Sequence, residues 1–158
     1  MKILELLEDF QKYYSCNDDI EIYNESIAEI STTLNIGNHD YTLFIEANQD
    51  EQRIMLNFYP EIKVQTGKII DAIMLCNYLN SRYNYSGKIV LLEDIEACFC
   101  YKVMLDINNI ENPSLSLILM LLVDAGNFLE RFNEILCEIS YTPKTFEAIQ
   151  KGLESEGV

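Results

Sequence analysis

The chain has 158 residues, of which 49% are hydrophobic, and its 26 acidic and 11 basic residues give a formal net charge of −15. A chain of this length and apolar content can bury its own core, so we predict a single domain over residues 1–158 and exclude global disorder. The acidic residues are spread along the chain and there is no basic patch. This disfavours nucleic acid and anionic membranes as partners, because both require Lys or Arg to neutralise phosphate.

The sequence predicts a cytoplasmic protein. Glu5, Glu8 and Asp9 interrupt the apolar residues of the first segment, unlike the apolar region of a secretory signal. The longest uncharged apolar run, residues 114–123, is about half of the ~20 residues that a membrane span requires. An odd number of irregularly spaced cysteines favours free thiols in a reducing compartment. These cysteines are Cys16, Cys76, Cys98, Cys100 and Cys137.

The first half of the chain predicts a helix followed by an antiparallel meander. Residues 2–14 have apolar side chains at helical spacing and charged side chains on the opposite face. Short alternating segments follow, joined by turn-rich links, as is typical of meander strands. Pro60 is expected to end this set, because its nitrogen cannot donate to a strand ladder. The strand segments are DIEIY, IAEISTTLNI, YTLFIEA and QRIMLNFY.

A second helix and a hairpin are predicted next. The helix covers residues 66–84, and its apolar residues between Ile69 and Leu79 point in nearly every direction. Such a helix is expected to be buried on more than one side. The segments KIVLLE and ACFCYKVMLDI then predict two strands of a hairpin.

The longest predicted helix follows Asn112, the expected N-cap, with Pro113 at the first helical position. Thr142 and Pro143 repeat this start signal and predict a short last helix over about residues 142–154. The long helix has a continuous apolar seam, because apolar residues recur in alternating steps of three and four. The seam is formed by Leu115, Ile118, Leu122, Ala125, Leu129, Phe132, Leu136 and Ile139.

The long helix also carries a second apolar stripe, interrupted by Asp124 and Arg131. Exposed apolar patches of this size are uncommon on monomers. We therefore expect the stripe to form the interface of a two-fold homodimer, with Asp124 and Arg131 paired across the axis. The alternative is that the last helix, through Phe146, Ile149 and Leu153, covers the stripe within one chain. The stripe consists of Leu117, Leu121, Phe128 and Ile135.

Patterns of catalysis and metal binding are weak in this sequence. Adjacent carboxylates occur at predicted turns, and His39, the only histidine, also lies in a turn. Cys98 and Cys100 share one strand face, but zinc would require about two further ligands. The pair Gly67 and Lys68 lacks the first glycine and the following hydroxyl of a phosphate-binding loop. We therefore predict a non-enzymatic protein that binds no metal and no cofactor.

The predicted elements follow the order α-β-β-β-β-α-β-β-α, which predicts an α+β fold with an antiparallel sheet packed against helices. With this order the chain resembles the YbjN family, whose fold is shared with the class I type III secretion chaperones. IMLCNYLN resembles the end of the family's helix, SGKIVLLE and CFCYKVMLDI resemble its next two strands, and LILMLLVDAGNFLERF resembles its closing helix. The resemblance covers roughly residues 18–139 and implies a type III secretion chaperone-like fold.

The resemblance also draws attention to Asn77 and Asn80 at the end of the second helix. Asn80 is expected to bond the backbone and to help turn the chain into the following strand. Asn77, one helical turn earlier, is expected to bridge to the neighbouring hairpin. We interpret both as structural residues, with a binding role as the alternative.

Three functional hypotheses follow. The first, implied by the resemblance, is a non-enzymatic protein-interaction module with a chaperone-like or regulatory role and an unidentified protein partner. Type III secretion chaperones are small acidic dimers that bind an extended client segment along apolar patches. The second is a small-ligand sensor or small enzyme, in which polar groups converge in a pocket between sheet and helices. The third is an acidic inhibitor that mimics nucleic-acid charge, with its acidic residues concentrated on one face.

Overall fold

The computed structural model describes residues 2–14, 18–93 and 96–156, so Cys16 lies outside the described residues. Within these ranges the chain forms four α-helices and six strands, and a short 3-10 turn precedes the second helix. The elements in chain order are α1 (Lys2–Tyr13), β1 (Glu21–Ile22), β2 (Ile27–Ile36), β3 (His39–Asn48), β4 (Arg53–Pro60), α2 (Ile69–Arg82), β5 (Lys88–Glu93), β6 (Ala97–Asp106), α3 (Leu115–Tyr141) and α4 (Phe146–Ser155).

The strands form one six-stranded sheet in the order β1-β2-β3-β4-β6-β5. Every neighbouring pair in it is antiparallel. The predicted α+β fold with an antiparallel sheet is confirmed, and β4 ends at Pro60 as expected. The DIEIY segment forms less strand than predicted, because β1 contains only Glu21 and Ile22. The β5–β6 hairpin places β6 beside β4, so β5 is a border strand.

One face of the sheet carries the hydrophobic core. Ile45 of β3 lies opposite Leu56 of β4, which lies opposite Val103 of β6, and all three side chains are buried. α1 packs against β2 and β3, α3 packs against β2 and β6, and α2 packs against β5. Buried residues of the helices and the five longer strands form one continuous cluster. This is the two-layer arrangement expected of an α+β domain.

The predicted seam of α3 is confirmed, since its residues from the second turn onwards are buried. The start of the helix differs from the prediction. Ser114, with extended backbone (φ −133°, ψ 163°), is the N-cap, and α3 begins at Leu115. Asn112 has a φ of 54° and lies in a turn, so the assignment of Asn112 and Pro113 to the helix start is wrong. Although α3 has 27 residues, neither it nor any other described helix is long and apolar enough to cross a membrane.

The start of α4 is also later than predicted. Thr145 is the N-cap, and its hydroxyl oxygen accepts a hydrogen bond from the N–H of Ala148 at 3.3 Å. The carboxylate of Asp71 on α2 accepts the N–H of Phe146 at 3.0 Å, which joins the start of α4 to α2. The assignment of Thr142 to this helix start is wrong, because Thr142 is the C-cap of α3. Its extended backbone is the one that a residue preceding proline prefers.

α2 is buried on one side only, so the expectation of burial on several sides is wrong. Ile70 is 74% exposed, and Ile73 and Met74 are also exposed. The reason is the position of α2 beside the border strand β5, where β5, α3 and α4 cover one side of the helix. Its buried residues are Ala72, Leu75, Cys76 and Leu79.

Candidate functional site

Residues 83–87, which we call the 83–87 loop, connect α2 to β5 and are attached to α3. The guanidinium of Arg131 lies over the ring of Tyr83, 4.7 Å from the ring centroid, and donates to the hydroxyl of Tyr85 at 3.3 Å. A guanidinium in this position is attracted by the negative face of the aromatic ring. Tyr83 and Tyr85 therefore attach the turn between α2 and β5 to α3.

Asp124 is a second attachment point for the loop. Its carboxylate accepts hydrogen bonds from the N–H of Ser86 at 2.8 Å and from the Ser86 hydroxyl at 2.5 Å. Asp124 and Arg131 are thus both engaged by a loop of their own chain. Each of the two side chains therefore has a partner within its own chain, and their pairing across a dimer axis stays a prediction.

Gly87 ends the loop at a close approach between backbone segments. A Cβ at this position would lie 2.6 Å from the carbonyl oxygen of Lys102 and 2.7 Å from Cζ of Tyr101. The N–H of Gly87 donates to the Tyr101 hydroxyl at 3.0 Å. Burial raises the pKa of Tyr101 to about 12. Only glycine allows the chain to pass the ring at this distance.

Phe128 belongs to the core, which corrects the predicted interface. Its side chain is 2% exposed, and its ring stacks on Tyr101 with centroids 4.4 Å apart and planes at 16°. The Tyr85 ring of the 83–87 loop packs edge-on against Phe128 at 5.3 Å. The 83–87 loop therefore covers part of this side of α3, whereas the sequence had predicted cover by a second copy or by the last helix.

The other residues of the predicted stripe are half-buried. Leu121 and Ile135 pack against the core cluster, and Leu117 is also only partly exposed. α4, the alternative cover, packs through Phe146 against the ring of Tyr78 on α2, with centroids 5.9 Å apart. The predicted stripe is therefore not a continuous surface.

The exposed apolar surface of α3 lies on a different line of the helix. Met120 is 68% exposed and Val123 is 65% exposed. Sequence reasoning missed both residues, because the uncharged segment is apolar in every direction and does not reveal which line faces outward. The two side chains line a groove of about 650 Å³, which we call the α3 groove. Its lining also includes Ser86, Ser116, Leu119 and Asn127.

A second exposed apolar surface lies on α2. Ile70, Ile73 and Met74 are spaced by three and four residues, so they occupy one side of the helix. We call these residues the α2 stripe. From the sequence we predicted apolar residues on nearly every side of this helix, but we expected them to be buried.

Asn80 performs the structural role predicted for it. Its amide nitrogen donates to the carbonyl oxygen of Ile89 at 2.7 Å, and its amide oxygen accepts the N–H of Ile89 at 2.9 Å. The side chain thereby joins the end of α2 to β5. The predicted bridge from Asn77 to the hairpin is wrong: the residue is exposed, and its backbone carbonyl accepts a hydrogen bond from the hydroxyl of Ser81 on the same helix.

A cavity of about 840 Å³ lies beside Tyr141 at the end of α3. The ammonium group of Lys63 pairs with the carboxylate of Glu96 at 3.0 Å, and the backbone N–H of Lys63 donates to the Tyr141 hydroxyl at 2.8 Å. These polar groups are thus bonded to one another. These mutual contacts do not favour a ligand sensor or an enzyme.

Among the described cysteines, Cys76, Cys98, Cys100 and Cys137, none forms a disulfide. Burial raises the pKa of Cys76 to about 12 and that of Cys100 to about 11. Nucleophilic and metal-binding thiols need the opposite shift. Among residues 2–14, 18–93 and 96–156, no group of three or more His, Cys, Asp or Glu side chains is placed to hold a metal ion. His39 is exposed at the first position of β3.

Acidic residues lie on both sides of the sheet. Glu29 of β2 is opposite Glu21 of β1 and Glu46 of β3, so carboxylates form a row on the face away from the core. The Tyr23 hydroxyl is 3.0 Å from both the Glu21 and Glu29 carboxylates. Other acids, such as Glu8 on α1, are exposed on the helix side. The structure therefore does not single out the one acidic face that a nucleic-acid mimic would require.

Comparisons with protein-family models, with curated proteins and with solved structures gave no match to this chain.

Proposed function

We propose that this chain is a non-enzymatic protein-interaction module of the YbjN and secretion-chaperone-like type, with a chaperone-like or regulatory role. The observation that carries the proposal is the exposure of Met120 and Val123, at 68% and 65%, in the α3 groove. Contiguous exposed apolar side chains mark interaction surfaces more often than single ones do. Methionine is enriched at interfaces because its flexible side chain adapts to a partner.

The chemistry of the surface supports a protein as the partner. The net charge of −15 opposes binding to phosphate-rich surfaces. The α2 stripe adds a second apolar contact area. We further propose that the module is cytoplasmic, in keeping with its free thiols, and that it acts as a homodimer. Membership of the YbjN family is part of the same proposal and rests on the sequence resemblance.

Site-specific photo-crosslinking in the host cell tests the proposal. A benzophenone amino acid is placed at Met120 in one variant, at Ile70 in a second, and at Glu147 on α4 in a third as the matched exposed control. We expect protein adducts, either with another protein or with a second copy, at Met120 or Ile70 above the level at Glu147. Equal, low yields at all three positions would contradict the proposal.

A further inference from the structure

We propose that the α3 groove binds an amphipathic helix of another protein, and that a lysine or arginine beside the apolar face of that helix pairs with Asp124. This inference rests on the proposed interaction module and names the chemistry of its partner. Asp124 lines the groove together with the exposed side chains of Met120 and Val123. One acid among exposed apolar side chains determines which kind of segment the groove accepts.

Asp124 carries a charge that its own chain satisfies only in part. Both hydrogen bonds from Ser86 reach the same carboxylate oxygen, Oδ2, and both donors are neutral. Within the ranges that the structure describes, Oδ1 accepts no hydrogen bond, and the ion pairs do not include Asp124. Arg131, about two turns further along α3, is engaged by Tyr83 and Tyr85. Oδ1 is therefore available to a donor from outside the chain.

Any partner that covers the groove also takes Asp124 out of water, because this half-buried carboxylate lies beside the apolar side chains. A charge buried without a counter-charge or hydrogen bonds is strongly destabilising. A wholly apolar occupant is therefore disfavoured, whereas a Lys or Arg side chain supplies both the charge and the donors. The net charge of −15 attracts such a basic segment over a longer distance.

The surroundings of Asp124 do not oppose a cation. Among the described residues that line the groove, one is acidic and none is Lys or Arg. The segment from Pro113 to Val123 carries no charge of either sign. The groove of a second copy has the same lining and supplies no cation. Charge complementarity at this surface therefore favours another, basic protein segment over a second copy.

The shape of the groove favours a helix as the occupant. The exposed line of α3 runs in steps of four, three and four residues, a spacing along which helices pack side by side. It is about 16 Å long, which matches about three turns of a second helix. An extended segment binds mainly through the free backbone groups of a sheet edge, whereas the backbone groups in the middle of α3 are bonded within the helix. The line consists of Ser116, Met120, Val123 and Asn127.

Selection from a display library tests the predicted chemistry. The library presents helical peptides of about 14 residues, or about four turns, that are randomised along one face, and the full chain is the target. We expect apolar residues to be enriched at helical spacing, with Lys or Arg beside them. Asp124→Asn keeps an oxygen acceptor for Ser86 but removes the charge, so selection on this variant should retain the apolar residues and lose the basic one. Glu147→Gln, at an exposed acid on α4, changes the net charge equally and should select the same peptides as the unsubstituted chain.

The affinity of one selected peptide, measured by fluorescence anisotropy, quantifies the contact. Asp124→Asn is expected to weaken binding by about tenfold or more, because it removes the charge that pairs with the peptide. Met120→Ser is expected to weaken binding through loss of apolar contact, and Glu147→Gln should change the affinity by less than about twofold. A peptide with Gln in place of its basic residue should bind the unsubstituted chain and Asp124→Asn equally. Circular dichroism verifies that all variants remain folded.

Several outcomes would overturn the inference. They are selection of no peptide, enrichment of the basic residue on Asp124→Asn as strongly as on the unsubstituted chain, and equal losses of affinity in Asp124→Asn and Glu147→Gln. The photo-crosslinker at Met120 separates this inference from the proposed function. If it captures a second copy, or captures other proteins equally well in the Asp124→Asn background, this inference fails while the proposed function stands. Low yields at both Met120 and Ile70 contradict the proposed function itself.

Discussion

Asp124 and Ser86 are joined through a single carboxylate oxygen, which accepts both the N–H and the hydroxyl of Ser86, at 2.8 Å and 2.5 Å. The two residues are 38 positions apart in the sequence, so these bonds tie α3 to the chain just before β5. Hydrogen bonds to a charged acceptor are stronger than those between neutral groups. The pair therefore fixes the loop that packs on Phe128.

We predict that Asp124→Ala lowers the free energy of unfolding by about 1.5–3 kcal/mol, because it removes a charged acceptor from two donors. Ser86→Ala removes only the hydroxyl and should cost about 1 kcal/mol. Urea denaturation of both single variants and the double variant forms a double-mutant cycle. A coupling energy near zero would show that the two side chains do not act together.

Two glycines offer a matched test of close packing. Gly87→Ala should lower the free energy of unfolding by about 1–3 kcal/mol, because its Cβ would meet the Lys102 carbonyl oxygen at 2.6 Å. Gly126→Ala lies within α3, where a Cβ has no atom within 4 Å, and should raise the free energy of unfolding by about 0.5–1 kcal/mol. Thermal and urea unfolding measure both. Equal effects of the same sign would refute this account of Gly87.

The two asparagines at the end of α2 differ in their bonds, and their variants should differ in stability. Asn80→Ala removes both bonds to Ile89 and should lower the free energy of unfolding by about 1–3 kcal/mol. Asn77→Ala is the matched control on the same helix and should change the free energy of unfolding by no more than about 0.5 kcal/mol. Chemical denaturation with circular dichroism checks both values. A larger loss for Asn77→Ala than for Asn80→Ala would reverse the assignment.

We predict that the free energy of unfolding falls at high pH, because a thiol and a phenol are buried in the folded chain. Burial raises the pKa of Cys76 from 9.0 to about 12 and that of Tyr101 from 10.0 to about 12. Above pH 9 the unfolded chain loses these protons before the folded chain does. The stabilising contribution is therefore complete below pH 9 and is lost progressively towards pH 12, at up to about 1.4 kcal/mol per pH unit for each group.

Urea denaturation at a series of pH values from 7 to about 11 checks this dependence. The Cys76→Ala variant lacks one of the two groups, so its free energy of unfolding should fall less steeply above pH 9. Met74→Ala, an exposed position on the same helix, should keep the slope of the unsubstituted chain. If the free energy of unfolding falls equally steeply with pH in all three proteins, the buried Cys76 thiol does not contribute to the loss of stability.

Sequence periodicity predicted the sheet and the seam of α3 because these features depend on local alternation and spacing. Helix starts were harder to predict. Asn112 and Thr142 each precede a proline, and both signals were interpreted as N-caps. In the structure Ser114 and Thr145 occupy the N-cap positions after those prolines. A start signal that contains several capping residues does not specify which of them takes the N-cap position.

The surface of an all-apolar helical segment was the least predictable feature. Phe128 and Met120 have similar apolar character, but a stacked ring and a loop cover Phe128 while Met120 faces outward. The difference depends on where the 83–87 loop crosses α3, which is a contact between distant parts of the chain. Gly87 lies at that crossing, where a Cβ would meet the backbone of β6, but a single glycine before a strand does not reveal this from the sequence.

The bonds of Asn80 also bear on how this protein avoids uncontrolled assembly. β5 is a border strand, and the outward-facing N–H and carbonyl of Ile89 both bond to the Asn80 amide. An exposed border strand is a template on which another chain can add a strand, the first step towards sheet-to-sheet aggregation. At Ile89 the amide takes the place that such a strand would occupy. Asn80 therefore blocks the addition of a further strand at this position of the border.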